Sequence, residues 1–303
     1  MRHFVAVAEE LHFGRAAQRL NMAQPPLSQS IRRLELDLGV DLFDRSRRGA
    51  ELTPAGRIFL AEARRTLAQA ELARTLAQRE ASEIPEVRIS FVGGALYRAL
   101  PALIARYRAA SPEVHVRLFE RSSMEQVAAL QKGDVDIGVV TVAGLAGMDL
   151  YETLVIERAL TVAAVPANWP LARAETITPA ELGELPFIAP PQRYAAHSAA
   201  LYAMFASAGV LPRVAQETMQ TNTAISLVGA GLGVSLVAAT ASLMQPRNVR
   251  FLPIAGLDFT PASELMLMWH PQHVGKRGEA FVEMSRRHLE ENPHYTDPAA
   301  PIA

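Results

Sequence analysis

The sequence predicts three successive parts: an N-terminal all-α domain of the winged helix-turn-helix type, a long linker helix, and a C-terminal two-lobed α/β domain. Three observations carry this. Between Phe13 and Leu38, two short apolar stripes at helical spacing are interrupted at Asn21–Gln24. From Pro54 to about Glu80 the chain has no glycine after Gly56 and is rich in Ala, Leu, Arg, Gln and Glu. From Val87 to Leu289, strand-like and helix-like segments alternate.

In the first part, Ala16, Ala17 and Leu20 share a helix face, and Leu27, Ile31, Leu34 and Leu38 form the next stripe. Pro25 and Pro26 suit the start of that second helix, because the first helical turn leaves its N–H groups unbonded anyway. Small alanines at the crossing make the pair a helix-turn-helix. The outward positions hold Ser28, Gln29, Arg32 and Arg33, side chains suited to base edges and phosphates. An ordinary amphipathic pair presents a polar face too. The following segment, 41–56, reads as a short β wing with Arg45, Arg47 and Arg48 near its tip, then a helix start at Thr53-Pro54. Arginines on a wing suit the narrow minor groove.

These residues resemble the N-terminal domain of LysR-type transcriptional regulators. The resemblance rests on Phe4-Val5-Ala6-Val7-Ala8-Glu9-Glu10, Ala16-Ala17, Leu20, Gln24-Pro25-Pro26-Leu27-Ser28, Ile31, Leu34-Glu35, Leu38-Gly39, Leu42-Phe43, Arg45 and Leu52-Thr53-Pro54-Ala55-Gly56. It implies a recognition helix in the major groove of a double-stranded DNA operator. Gln24, Ser28 and Gln29 would lie near bases, Pro25 and Pro26 near thymine methyls or sugar, and Arg32 and Arg33 near phosphates. Arg48 would enter the minor groove, with Arg45 and Arg47 supporting the wing. The family usually carries several residues ahead of the FVAVAEE segment, whereas this sequence starts almost inside that helix.

Composition narrows the classes. Net charge is −1, so DNA affinity must come from a local patch; residues 1–58 hold nine arginines against seven acids. Cysteine is absent, which excludes disulfides, thiolate metal sites and cysteine nucleophiles. No basic-then-apolar leader and no apolar run of about 18 residues is present, so the expectation is a soluble, cytoplasmic protein with no membrane partner.

The linker segment predicts one helix of about 25 residues, with Leu60, Ala63, Leu67, Ala70 and Leu76 as a seam for dimerisation. Paired helix-turn-helix units read two half-sites, so a homodimer or homotetramer is expected. Ser82-Glu83-Ile84-Pro85 ends it.

The alternation that follows predicts parallel β/α architecture. Strands are expected at 87–92, 114–120, 135–140, 160–165, 187–189, 214–217, 234–237 and 264–269, and helices at 96–109, 124–131, 198–207, 224–229 and 279–289. The boundaries are 1–58 for the DNA-binding domain, 54–82 for the linker helix, and 86–292 for the two-lobed domain. Lobe I takes about 86–161 and 267–292, lobe II about 162–266, and 293–303 is a flexible tail. The two-lobed part resembles the family's effector-binding domain, of periplasmic-binding-protein-like shape, through its strand-Gly-Gly-helix start, Gly133–Gly138 and Val228–Ser235.

Ligands of open α/β sheets sit beyond the carboxyl ends of strands, at helix N-termini. Gly93 and Gly94 let backbone approach a ligand. Ser122 and Ser123 precede a helix, with Gln126 read as completing a capping box from Ser123. Thr221, Asn222 and Thr223 precede another. Each helix end favours an anion by about 0.3–1 kcal/mol, although Ser123 and Thr223 also serve as plain caps. The loop 190–198 adds Pro190, Arg193 and His197, of which the last two are able to pair with a carboxylate. Here, and around 91–101, the chain resembles the branch of the family that responds to benzoate, muconate and related acids, except that Gly94 stands where a hydroxyl residue is usual.

No metal or cofactor is expected. His270-Pro271-Gln272-His273 has the wrong spacing for two ligands on one helix face, and Met266 and Met268 read as core. The resemblance implies a transcriptional regulator, not an enzyme, that acts on promoters with RNA polymerase, its lobes closing on a small acidic effector. Two alternatives stand beside it. A solute-binding or sensor protein explains 87–290 but not the N-terminal helices. An enzyme using the cleft needs a nucleophile or an acid–base pair, and neither is found.

Overall fold

The computed structural model describes residues 1–44, 50–80, 84–141, 148–191, 195–255 and 264–298. They fall into two compact units, Met1–Ala81 and Ser82–Ala303. Arg45, Arg47 and Arg48, expected near the wing tip, and Arg193, expected in the 190–198 loop, lie outside the described residues.

The first unit runs α1 (Arg2–Glu10), α2 (Phe13–Arg19), α3 (Gln24–Leu38), β1 (Phe43–Asp44), β2 (Glu51–Leu52) and α4 (Pro54–Glu80). His12 starts α2: its Nδ1 accepts the N–H of Gly14 at 3.0 Å and of Arg15 at 3.3 Å. The second helix begins at Gln24, just ahead of the prolines, and stops at Gly39, whose φ of 69° is left-handed. Its buried stripe is Leu27, Ile31 and Glu35. Leu38, expected in that stripe, is 43% exposed, because the last turn passes beyond the core. That core gathers Phe4 against Phe43 and Phe59, with ring centroids 5.3 and 5.0 Å apart. Burying a side chain such as Phe4 or Leu27 completely contributes roughly 1.5–3 kcal/mol.

Thr53 sets the start of α4. Its hydroxyl donates to the Asp41 carbonyl at 2.8 Å and accepts the N–H of Gly56 at 2.9 Å. A methyl group on Gly56 would lie 2.1 Å from the Leu42 carbonyl oxygen, so backbone meets backbone at this point. The helix then extends for 27 residues, about 40 Å at 1.5 Å per residue.

The second unit opens with β3 (Glu86–Phe91), α5 (Ala99–Ala110), β4 (His115–Glu120), α6 (Ser123–Gln131), β5 (Ile137–Thr141) and β6 (Glu152–Arg158). It continues through β7 (Thr161–Pro166), α7 (Pro179–Gly183), β8 (Pro186–Ala189), α8 (Ala195–Ser207), β9 (Arg213–Glu217), α9 (Thr221–Gly229), β10 (Ser235–Ala238) and β11 (Val249–Pro253). It closes with β12 (Glu264–Trp269) and α10 (Gly275–Glu291). The helix expected from Leu96 is divided: a 3-10 turn spans Gly93–Leu96, and α5 starts at Ala99.

One sheet has the order β4-β3-β5-β12-β6, and a second has the order β10-β7-β11, with β8 and β9 paired separately. The sheets are mixed, not parallel as expected. The strands β3, β4 and β5 are parallel, whereas β12 runs antiparallel to both β5 and β6, and β7 to β10 and β11. The physical reason is the excursion into the second lobe. The chain leaves the first sheet after β6 and re-enters it from the other lobe as β12, so no helical crossover links β12 to its neighbours.

Lobe I packs α5 and α10 on its sheet around Ile89, Leu103, Ile137, Leu267 and Phe281. Lobe II centres on Phe187 and Phe205, edge to face at 5.2 Å. The expected flexible tail is packed in its first part. Pro293–Tyr295 form a 3-10 turn, and Tyr295 lies against the lobe I core with the Arg98 guanidinium 5.4 Å from its ring centre. Among the described residues no helix is long and apolar enough to cross a membrane.

Candidate functional site

On the first unit, Gln24, Pro25, Pro26, Gln29, Arg32 and Arg33 are exposed along α3, and Ser28 is half-buried. The face opposite is what fixes them there. Ala16 and Ala17 are buried where α2 meets the core, and Leu27 and Ile31 anchor α3 to it. A hydrogen bond of 2.8 Å joins His3 to Ser30. Elsewhere on the unit, Arg19 and Arg64 are engaged. Glu9 takes Arg19 at 2.9 Å and Arg64 at 2.8 Å, and the hydrogen bond from Arg64 holds its carboxyl below the usual range. Among the described residues no ion pair engages Arg32 or Arg33, so both charges stay available to phosphate.

Glu35 enters the resemblance above only as part of Leu34-Glu35, with no role assigned to it. It is 5% exposed, and its Oε1 accepts the N–H groups of Leu42 at 2.9 Å and Phe43 at 3.1 Å. One carboxylate thus fastens the end of α3 to the first strand of the wing, which pairs with β2 through Phe43–Leu52 and Asp44–Glu51. The signal was present: Glu35 follows Ile31 by four residues, on the buried face.

On the second unit, a cavity of about 230 Å³ opens between the two lobes at the carboxyl ends of the lobe I strands. Of the expected ligand residues, Gly93, Gly94, Ser122, Ser123, Pro190 and Thr221 line it. Asn222 and Thr223 are not among the lining residues; they lie inside α9, which begins at Thr221 with Gln220 as its cap. His197 lies in α8, with its side chain outside the described ones.

The capping box is also placed differently. Ser122 is the cap, and Glu125, not Gln126, completes the box. The Glu125 carboxylate takes the Ser122 hydroxyl at 2.7 Å and its N–H at 2.8 Å, which holds its own pKa down. Gln126 is fully buried and donates to the Arg121 and Val139 carbonyls, both at 3.1 Å. Ser123, 5% exposed, is left facing the cavity.

Several lining residues were not read from the sequence. Arg121 is the cation among the described lining residues, with its guanidinium 5.2 Å from the Phe119 ring. Tyr97 of lobe I donates its hydroxyl to Asn222 of lobe II; burial, with Glu120 adding, pushes its pKa up to about 12. Glu157, 1% exposed, accepts the Ala99 N–H at 3.0 Å with Arg98 at 3.6 Å. Burial raises its pKa against those contacts. Phe187, Ile188, Leu201, Met204 and Val237 make the remaining wall largely apolar. Nothing in local periodicity marks these residues, since sheet order alone brings them together. Among the described residues no three His, Cys, Asp or Glu cluster to hold a metal.

Comparison with known proteins agrees with both halves. The bacterial regulatory helix-turn-helix model of the lysR family matches residues 1–57, and the LysR substrate binding domain matches residues 80–290. The chain is 41% identical over 256 residues to the transcriptional regulator AlsR of Bacillus subtilis, covering 83% of each. It is 38% identical over 276 residues to the uncharacterized regulator YnfL of Escherichia coli K12, covering 90% of this chain and 92% of that one. Among solved structures it is similar to full-length CbnR in complex with its target DNA, at 29% identity and a TM-score of 0.57, covering 94% and 97% of the two chains. With a helix-turn-helix unit in front and a two-lobed substrate-binding unit behind, the chain belongs to the LysR family of transcriptional regulators.

Proposed function

We propose that this regulator reads its operator through the exposed face of α3 and answers to a small organic acid held between the lobes of the second unit. Gln24, Ser28 and Gln29 read base edges, Pro25 and Pro26 make apolar and sugar contacts, and Arg32 and Arg33 neutralise phosphates, with Arg45, Arg47 and Arg48 on the wing. In the cavity, Arg121 and the start of α6 take the acid group, and Gly93 and Gly94 give it room. The cavity size of about 230 Å³ lies below that of drug-sized pockets, about 300–1,000 Å³, and suits a single ring or a short chain. Closure of the lobes on the acid shifts the population of promoter-competent assemblies. The protein works in the cytoplasm as a homo-oligomer beside RNA polymerase and performs no catalysis.

The observation that carries this reading is the contrast on the first unit: Arg32 and Arg33 are exposed and, among the described residues, without ion pairs, whereas Arg19 and Arg64 are locked on Glu9. The test is selection of duplexes from a random pool by the full chain, followed by titration across salt. Arg33→Ala lowers affinity evenly across sequences and reduces the salt slope by about one. Gln29→Ala instead relaxes preference at one position per half-site, by about 1–3 kcal/mol. Failure to enrich any duplex refutes the proposal.

A further inference from the structure

The cavity has polar groups at both ends, and the acid site accounts for only one of them. Arg121 and Ser123 follow β4, at one edge of the five-stranded sheet, and Glu157 stands on β6 at the other. The Thr240 hydroxyl, just after β10, belongs to the Glu157 end: the residue lines the cavity, is 1% exposed, and lies close enough to the Glu157 carboxyl to lower its pKa, although among the described residues it makes no hydrogen bond of good geometry. Thr161, 8% exposed, lines the same end. Two buried polar groups side by side in a cavity wall favour a guest that hydrogen-bonds to both.

The chemistry of that guest follows from what faces it. Glu157 already accepts the Ala99 N–H, and its carboxylate has lone-pair sites left for one more hydrogen bond. Thr240 has a proton to give and lone pairs to offer. A hydroxyl group answers both, donating to the carboxylate while accepting from the threonine. An ammonium only donates, and an ether only accepts. Geometry sets where the hydroxyl stands on the ligand. Strands β4 and β6 lie four strand spacings apart, roughly 19 Å at about 4.8 Å each. The side chains of Arg121 and Glu157 both line the cavity and take up part of this distance, and Phe187, Ile188 and Val237 add apolar wall. A ring with its polar groups at opposite ends matches that profile.

We propose that Glu157 and Thr240 form a second polar subsite, which selects an effector bearing a hydroxyl group opposite its acid group. The inference rests on the acid-binding cavity proposed above and adds the class of ligand, a para-hydroxylated ring acid.

The test is calorimetric titration of the full chain with benzoate, 3-hydroxybenzoate, 4-hydroxybenzoate and phenol, in the wild type and in Thr240→Val, Glu157→Gln and Arg121→Met. The wild type binds 4-hydroxybenzoate about tenfold more tightly than benzoate, as one net hydrogen bond supplies, with 3-hydroxybenzoate between them. Thr240→Val, which keeps the shape and removes the hydroxyl, erases the difference between the two acids. Arg121→Met weakens all the acids alike and leaves phenol as it was. Should benzoate and 4-hydroxybenzoate bind equally in the wild type, or the preference survive both Thr240→Val and Glu157→Gln, the hydroxyl subsite is refuted and the acid site stands. Should no acid bind at all, the acid site falls and the subsite with it.

Discussion

Replacing Glu35 by alanine tests whether the wing is held by a single buried carboxylate. The Oε1 atom accepts two backbone N–H groups, those of Leu42 and Phe43, at 2.9 and 3.1 Å, in a site 5% exposed. Truncation leaves both donors buried without their acceptor, at about 1–3 kcal/mol each, or about 2–5 kcal/mol together once water enters part of the gap. Against the usual net stability of about 5–15 kcal/mol, that is a large share for a unit of this size. Glu35→Gln keeps an acceptor oxygen and loses the charge, so its cost falls between wild type and alanine. The assay follows from the sequence. Both tryptophans, Trp169 and Trp269, lie in the second unit, so their fluorescence in urea reports that unit alone, while helical circular dichroism reports both. Glu35→Ala moves an early dichroism transition to lower urea and leaves the fluorescence midpoint in place. A dichroism curve within about 0.5 kcal/mol of wild type, the range of an ordinary surface change, refutes the reasoning.

Further predictions follow from single contacts. Gly56→Ala drives a methyl to 2.1 Å from the Leu42 carbonyl oxygen and costs about 1–3 kcal/mol by overpacking, again in the dichroism transition alone. Tyr97→Phe keeps the ring and removes the hydrogen bond to Asn222; hydrogen exchange at the start of α9 accelerates, and unchanged exchange rules out a latch between lobes. Glu157 has its pKa raised, chiefly by burial, so the folded state keeps that proton to higher pH than the unfolded chain. The stability this adds is full below the ordinary carboxylate value and is lost as pH climbs through the raised one. Glu157→Gln therefore flattens the decline in that window, measured as the difference between the two melting curves across pH, and a parallel pair of curves contradicts the assignment.

Local chemistry decided what the sequence could tell. The prolines at the start of α3, the glycine-free run of α4, and the alternation from β3 onward depend on neighbours within a few residues, so their pattern survives in one dimension. The exposed row from Gln24 to Arg33 follows from the same periodicity, because burying Leu27 and Ile31 turns those residues outward. Tertiary structure decided the rest. The direction of β12 depends on an excursion through a second lobe, and the cap at Ser122 depends on which side chain, the Glu125 carboxylate or the Gln126 amide, finds space outside the core. Glu35, Arg121, Glu157 and Thr240 acquire their surroundings from other elements, as Tyr97 and Asn222 acquire each other across 125 positions. Periodicity records which face of an element is buried. It carries no record of what lies on the other side, and a cavity is made of other sides.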